Sequence, residues 1–313
     1  MTITGTVTST RPARRRRAGR LRRAAGLLAV LCLAAGCGGG ARPAAFSTTG
    51  APSYAPRATP STSLPPGPGH VVVVVFENKS VQQIVGSADA PYLNELIGQS
   101  AVFDDAHGVA HPSQPNYLAL FSGSTQGVAD DHCPIRAGTA PNLAQQLLAG
   151  GLTFAGYSEG LPAPGFRGCS SGRYAAKHNP WADFDSVPAE ANQPYTAWPD
   201  DPARLPTVAF VIPDLCHDMH DCPVSAGDAW ARDHLDPYRR WAATHDSWLI
   251  VTFDEDDGSA ANRILTLVCG AGVTPGLRNG RVDHYSVLRT IEDRYGLAPL
   301  GRAAAANPLA LRS

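Results

Sequence analysis

The sequence predicts an α/β fold: a largely parallel central sheet with helices on both faces. Two observations carry this expectation. His70-Val-Val-Val-Val-Val-Phe76 and Trp248-Leu-Ile-Val-Thr-Phe253 are continuous apolar runs, and a strand without polar alternation is one covered on both faces. Helical patterns also alternate with strand-like segments along the chain, the order expected of parallel strands joined by crossover helices.

Taken in order, the strand-like segments are Val71–Phe76, Leu152–Tyr157, Thr207–Ile212, Trp248–Phe253 and Ile264–Val268. Helical patterns fall between them at Tyr92–Gln99, Asn116–Phe121, Pro141–Leu148, Ala226–Thr244 and Tyr285–Tyr295. A long stretch from roughly Asn179 to Pro206, marked by Asn192-Gln-Pro194 and Asp201-Pro202, reads as a loop that either covers a pocket or makes a surface excursion. Trp181, Trp198, Trp230 and Tyr238 read as packing residues. The Ala-rich tail after Pro299 is expected to add little beyond a last surface turn.

The N-terminal part is of another kind. Its first 37 residues hold eight arginines and no acid, followed by a short apolar stretch from Ala24 to Ala35. That stretch is too brief to span a bilayer and reads as an export signal, residues 1–37. Leu33-Ala-Ala-Gly-Cys37 resembles a bacterial lipoprotein box, which implies a lipid on Cys37 and a cell-surface lipoprotein. Its leucine stands four positions before the cysteine instead of three, so cleavage to a freely secreted chain is the alternative. Residues 38–69 are Gly, Ala, Pro, Ser and Thr with almost no large apolar side chains and read as a disordered linker. A single domain of residues 70–300 follows, with 301–313 as a tail. Without the eight arginines the 26 basic residues fall to 18 against 27 acidic, a formal charge of about −9. That acidity and the lack of a basic stripe exclude a nucleic-acid partner.

Five cysteines lie beyond the signal: Cys133, Cys169, Cys216, Cys222 and Cys269. An odd count leaves one unpaired. Cys269 ends an apolar run and is the expected buried thiol. The simplest pairing of the others is Cys216 with Cys222 and Cys133 with Cys169.

Chemistry gathers at the strand exits, where open α/β sheets bind ligands. Phe76 runs into Glu77-Asn78, and Phe253 runs into Asp254-Glu255-Asp256-Asp257. Carboxylates collected at one rim repel each other unless a cation or proton intervenes, which points to a divalent metal ion of unknown identity. After Ile212 the loop Pro213–Cys222 carries three aspartates and two histidines in ten residues, and a Cys216–Cys222 bridge would stiffen Asp218 and His220. Ser113, with Pro115 two residues on and a helical pattern following, marks a helix start suited to a phosphate. Asn116, three positions along, is expected to face the same way and donate to a phosphoryl oxygen.

Glu77-Asn78, His111-Pro-Ser-Gln-Pro-Asn-Tyr117, Lys177-His-Asn-Pro180, Asp218-Met-His220, Asp254-Glu-Asp-Asp-Gly258 and Asp283-His-Tyr-Ser286 resemble, in order, the blocks of the bacterial and fungal phosphoesterase family, which includes acid phosphatases and phospholipases C. The resemblance spans about residues 70–298 and implies an alkaline-phosphatase-like fold. It implies Ser113 as nucleophile, with Glu77, Asn78, Asp254 and Glu255 facing metal and phosphate. His111, His178, Asp218, His220 and His284 follow as pocket or second-metal candidates, with Asp218, His220 and His284 expected either to hold a second ion or to protonate the leaving alcohol. Phospholipase C members usually continue the Asp-Glu pair with His-Gly-Gly, whereas this chain has Asp256-Asp257-Gly258. The phosphatase branch is therefore the closer likeness, and some of its secreted members act on phosphatidylinositol 3-phosphate.

The sequence-level expectation is thus an exported, metal-assisted acid phosphatase acting on phosphorylated small molecules or phospholipids. Two alternatives stand beside it, a phospholipase C-type phosphodiesterase and a lipid-anchored protein that binds phosphate or metal without chemistry. Each residue also has a plain reading: Ser113 as a helix cap, Glu77-Asn78 as a solvated turn, the Asp254 run as an idle acidic loop.

Overall fold

The computed structural model describes residues 69–312. The signal, Cys37 and nearly all of the expected linker lie outside that range.

Among the described residues eleven strands form in chain order: β1 (Val71–Phe76), β2 (Ala101–His107), β3 (Phe154–Ser158), β4 (Ser170–Ser171), β5 (Tyr174–Ala175), β6 (Asn192–Pro194), β7 (Val208–Ile212), β8 (Trp248–Phe253), β9 (Arg263–Gly270), β10 (Gly276–Arg278) and β11 (Val282–Asp283). β4 and β5 make a small separate hairpin, and the other nine form one sheet. Its order is β10-β2-β9-β8-β1-β7-β3-β6, with β11 also on β2. Among the described residues six α-helices accompany the strands: α1 (Val81–Ile84), α2 (Pro91–Ile97), α3 (Gln114–Ser122), α4 (Leu143–Ala149), α5 (Val224–Ala242) and α6 (His284–Tyr295).

β1 lies at the centre of the sheet, parallel to β7 on one side and β8 on the other. All six of its residues are buried. Because successive side chains point to opposite faces, burial of every one requires cover on both. α5 packs on α2 and against β8 and β9, α3 packs on α6, and α4 lies against β3. Only β9 breaks the parallel run, pairing antiparallel with both β8 and β2.

The apolar strands and the five long helical patterns form within a few residues of their expected bounds. β2 had no counterpart in the sequence reading, because its Asp104 and Asp105 sit half-buried where the register with β9 shifts and so interrupt the apolar pattern. The stretch after Asn179 is built into the body of the fold: β6 pairs with β3, and Trp181 is fully buried. A Cβ on Gly156 would lie 2.0 Å from the Trp181 ring, so glycine there makes room for the indole. Trp230 and Tyr238 are buried as expected, and Trp198 is half-buried against Tyr157.

The tail corrects its expectation. Leu300, Ala303 and Leu309 are buried, Leu300 donates its amide to Glu292 Oε1 (2.8 Å), and Leu309 donates to Thr290 Oγ1 (2.7 Å). Small residues spaced by leucines pack onto α6 without any helical periodicity to announce it. Cys133–Cys169 and Cys216–Cys222 are disulfides, and Cys269 is a buried thiol. No described helix is long and apolar enough to cross a membrane.

Candidate active site

Strand register builds the site. Phe76 pairs with Phe253 across β1 and β8, so Glu77 and Asp254 leave the sheet side by side. The Asp254 amide donates to the Phe76 carbonyl (2.9 Å), and the Asn78 amide donates to Asp254 Oδ1 (3.0 Å). From the neighbouring exit, the Asp218 carbonyl accepts the Glu77 amide at 2.8 Å. Glu77, Asp218 and Asp254 are all essentially without solvent contact.

Ser113 stands at the head of α3 with helical backbone angles and makes no cap bond. Its hydroxyl instead lies 3.0 Å from Glu77 Oε2 and 3.1 Å from Glu255 Oε1. A hydroxyl has one proton to give, so two carboxylates compete for it. The plain reading of Ser113 as a helix cap is thereby set aside.

A second group closes around Glu77. Tyr117 donates its hydroxyl to Glu77 Oε1, and the His178 ring stacks on Tyr117 with centroids 5.1 Å apart. His178 Nε2 lies 3.1 Å from Glu77 Oε1, and its Nδ1 lies 3.2 Å from Asp218 Oδ2. Neither His178 Nε2 nor Asp218 Oδ2 has a hydrogen-bond partner, and Asp254 Oδ2 and His284 Nδ1 are likewise buried without one. His284 Nε2 contacts the Asp254 carbonyl at 2.5 Å. His111 pairs through Nδ1 with Glu255 Oε2. His178, a pocket or second-metal candidate from the sequence, thus sits among the acids.

Burial governs the electrostatics. It raises the Glu77 carboxyl well above the usual range, with the charges of Asp254 and Asp218 adding to it. Burial, then the Glu255 charge, pushes Asp254 up to about 8, and burial lifts Asp218 to about 7. Burial, with Lys177 second, holds His178 well below the ordinary imidazole value, and burial lowers His284 as well. Crowded carboxylates beside neutral imidazoles make a set of electron-pair donors that a cation would stabilise. Glu77, His178 and Asp218 each offer one ligand atom within 4.8 Å of the others. These orphaned acceptors fit a divalent metal ion.

Two expected residues serve other ends. Asn116 Oδ1 accepts the amides of Val109 and Ala110, and its Nδ2 donates to the carbonyls of Ala110 and Pro112. The side chain therefore braces the loop ahead of Ser113, with both its ends engaged. His220 contacts Asp221 through Nδ1 (2.7 Å) and Lys177 through Nε2 (3.2 Å), while its amide donates to Asp218 Oδ1 (2.8 Å).

Three contributors were not singled out from sequence. Asp131 Oδ1 accepts the amide of Gln114, the residue after Ser113, and Asp131 Oδ2 accepts Lys177 Nζ, both at 2.9 Å. Lys79 Nζ donates to the carbonyls of Asn78 (3.2 Å) and Met219 (2.8 Å). Both those residues are left-handed, with φ of 54° and 77°, a conformation that costs non-glycine side chains energy. Met219 is held there by full burial, for a Cβ on Gly227 of α5 would lie 2.5 Å from its Cγ. Lys79 therefore ties the exit of β1 to the disulfide-closed loop. Lys177 did carry a signal, its place in the Lys177–Pro180 block. Asp131 carried none, since its role arises from contacts across 17 and 46 residues.

The mainly parallel sheet with flanking helices is a fold shared with a solved structure from the alkaline phosphatase superfamily. A solved structure of a protein in that superfamily from Vibrio parahaemolyticus superposes with a TM-score of 0.52 at 13% identity, covering 77% of this chain and 70% of that one. Residues 86–298 match the Phosphoesterase family, and the chain belongs to that family. It is 46% identical over 256 residues to the phosphatidylinositol-3-phosphatase of Mycobacterium tuberculosis, covering 81% of this chain and 86% of that protein. It is 30% identical to an acid phosphatase of Aspergillus fumigatus, over 66% of this chain but 51% of the fungal protein, about half its length.

Proposed function

We propose that this protein is an exported phosphomonoesterase of the acid phosphatase type that works through a phosphoserine on Ser113. The single observation behind this reading is the Ser113 hydroxyl, released from capping and set between Glu77 and Glu255. In the first step Ser113 Oγ attacks phosphorus and its proton passes to one of the two carboxylates. The bond from phosphorus to the substrate oxygen breaks, and the alcohol leaves after taking up a proton. Water then attacks the phosphoserine, the bond from phosphorus to Oγ breaks, and the serine regains a proton as inorganic phosphate departs.

Glu77, Asn78, Asp254, Glu255, Asp218, His178 and His284 are the residues that would hold a divalent ion. Such an ion, when bound, supplies positive charge for the phosphoryl oxygens and favours the ionised serine. The chain's own part is to exclude water and fix the hydroxyl, which the Asn116 brace and the Lys79 staple support. The substrate class is a phosphorylated small molecule or a phospholipid such as phosphatidylinositol 3-phosphate, a reading supported by the name and 46% identity of the mycobacterial relative. Two disulfides agree with an oxidising compartment, while a lipid on Cys37 rests on the sequence alone.

The test is phosphate release from p-nitrophenyl phosphate by the wild type, with and without chelator, and by Ser113→Ala. Loss of release on chelation, restored by added divalent metal, and a fall of at least ~10³-fold in the variant are expected. Undiminished turnover by Ser113→Ala would exclude the serine as nucleophile.

A further inference from the structure

We propose that Lys177, anchored by Asp131, is the residue that sets preference for phosphate monoesters over diesters; this rests on the phosphomonoesterase reading above. The carboxylates Glu77, Glu255, Asp254 and Asp218 surround Ser113 or its partners, and a doubly charged monoester entering among them needs more positive charge than a singly charged diester. Lys177 is placed to provide it. One oxygen of Asp131 accepts Lys177 Nζ at 2.9 Å while the other accepts the amide of Gln114 at 2.9 Å, so the ammonium is tied to the turn that carries Ser113. The next residue, His178, reaches Glu77 and Asp218. The Lys177 side chain is 20% exposed, neither sealed in nor free in solvent.

Hydrogen-bond counting defines what the ammonium can still do. It has three N–H donors and no acceptor. Asp131 takes one and His220 Nε2, 3.2 Å away, takes another, which leaves one for a ligand. The same count fixes His220: its Nε2 accepts from Lys177, so its proton sits on Nδ1 and goes to Asp221. His220 is therefore a support for Lys177 on that edge, and Lys177 carries the donor. Lys79 has the same count, two N–H bonds to backbone carbonyls and one left over, and differs in what it is tied to: the turns of Asn78 and Met219 instead of the turn that carries Ser113.

A charge-assisted hydrogen bond made to the monoester and not to the diester is worth roughly ten- to a hundred-fold in selectivity. The experiment measures kcat and KM on p-nitrophenyl phosphate and bis(p-nitrophenyl) phosphate for the wild type, Lys177→Met, Lys177→Arg and Lys79→Met. Lys177→Met should lose roughly ten- to a hundred-fold in kcat/KM on the monoester while the diester changes far less, and Lys177→Arg should recover part of the loss. Lys79→Met should lower both substrates together. Should Lys177→Met fail to fold, Asp131→Asn carries the comparison, because it frees the ammonium from its anchor without removing the charge; a raised KM for the monoester alone is then expected. Parallel losses on both esters, or an unchanged ratio, overturn the assignment of Lys177. A wild type with no preference for the monoester overturns the phosphomonoesterase reading itself, which keeps the two failures apart.

Discussion

Asp254 and Asp256 leave the same strand two residues apart, and both are buried, yet the fold treats them in opposite ways. Asp254 accepts one backbone amide on Oδ1, while its Oδ2 is unpartnered. Asp256 accepts the amides of Gly258 (3.0 Å), Ser259 (2.8 Å) and Arg263 (3.1 Å) and the Ser259 hydroxyl. Burial raises both, but the donors around Asp256 outweigh it and hold that carboxyl below its ordinary value, whereas Asp254 is pushed up to about 8. Asp256 closes the loop that also carries Asn262, whose side chain bonds the Asp256 amide and the Ala110 carbonyl ahead of Ser113. A satisfied carboxylate holds a loop in shape, and an unsatisfied one beside a serine is the candidate for chemistry.

Exchanging single oxygens for nitrogens tests that contrast. The largest effect is expected from Asp254→Asn, which should cut phosphate release by roughly 10²–10³-fold and lower the metal retained after dialysis. Its thermal stability should hold or rise, because a crowded buried acid has been removed. Asp256→Asn should show the reverse, losing about 1–3 kcal/mol in denaturant unfolding as its donors lose an acceptor, with a smaller change in turnover. Equal activity losses in the two variants would erase the distinction.

The smallest effect isolates the energetic cost of an orphaned acceptor away from the site. Glu292 is fully buried, bonds Leu300 through Oε1, leaves Oε2 unpartnered, and is lifted by burial to about 7. Its folded pKa lies above the unfolded value near 4.3, so the stability linked to its proton is complete below about pH 4 and is lost as pH rises through about 7. The wild-type Tm should therefore fall more between pH 5 and pH 8 than that of Glu292→Gln, by a few degrees. Parallel curves would contradict the burial argument.

Much of this was legible in the chain. The valine run of β1 and the Trp248–Phe253 run could only be inner strands, and their exits had to share a rim. The serine at a helix start was also visible. What the sequence could not separate was Asp254 from Asp256, since the difference lies in which amides a folded loop turns toward each carboxylate. Helical spacing gave Asn116 a direction but no partners, and it is consumed by the loop before Ser113. β2 was hidden by two aspartates at a register shift, and the tail by its small residues. Asp131 and Lys177 owe their roles to a contact between distant loops that no periodicity encodes.

The most direct measurement is an acid quench during turnover of a labelled phosphomonoester, followed by mass spectrometry of the peptide carrying residue 113. Phosphate on Ser113 is expected in the wild type, and none on that peptide in Ser113→Ala. Turnover without any phosphate on Ser113, or phosphate captured on another side chain, would contradict it.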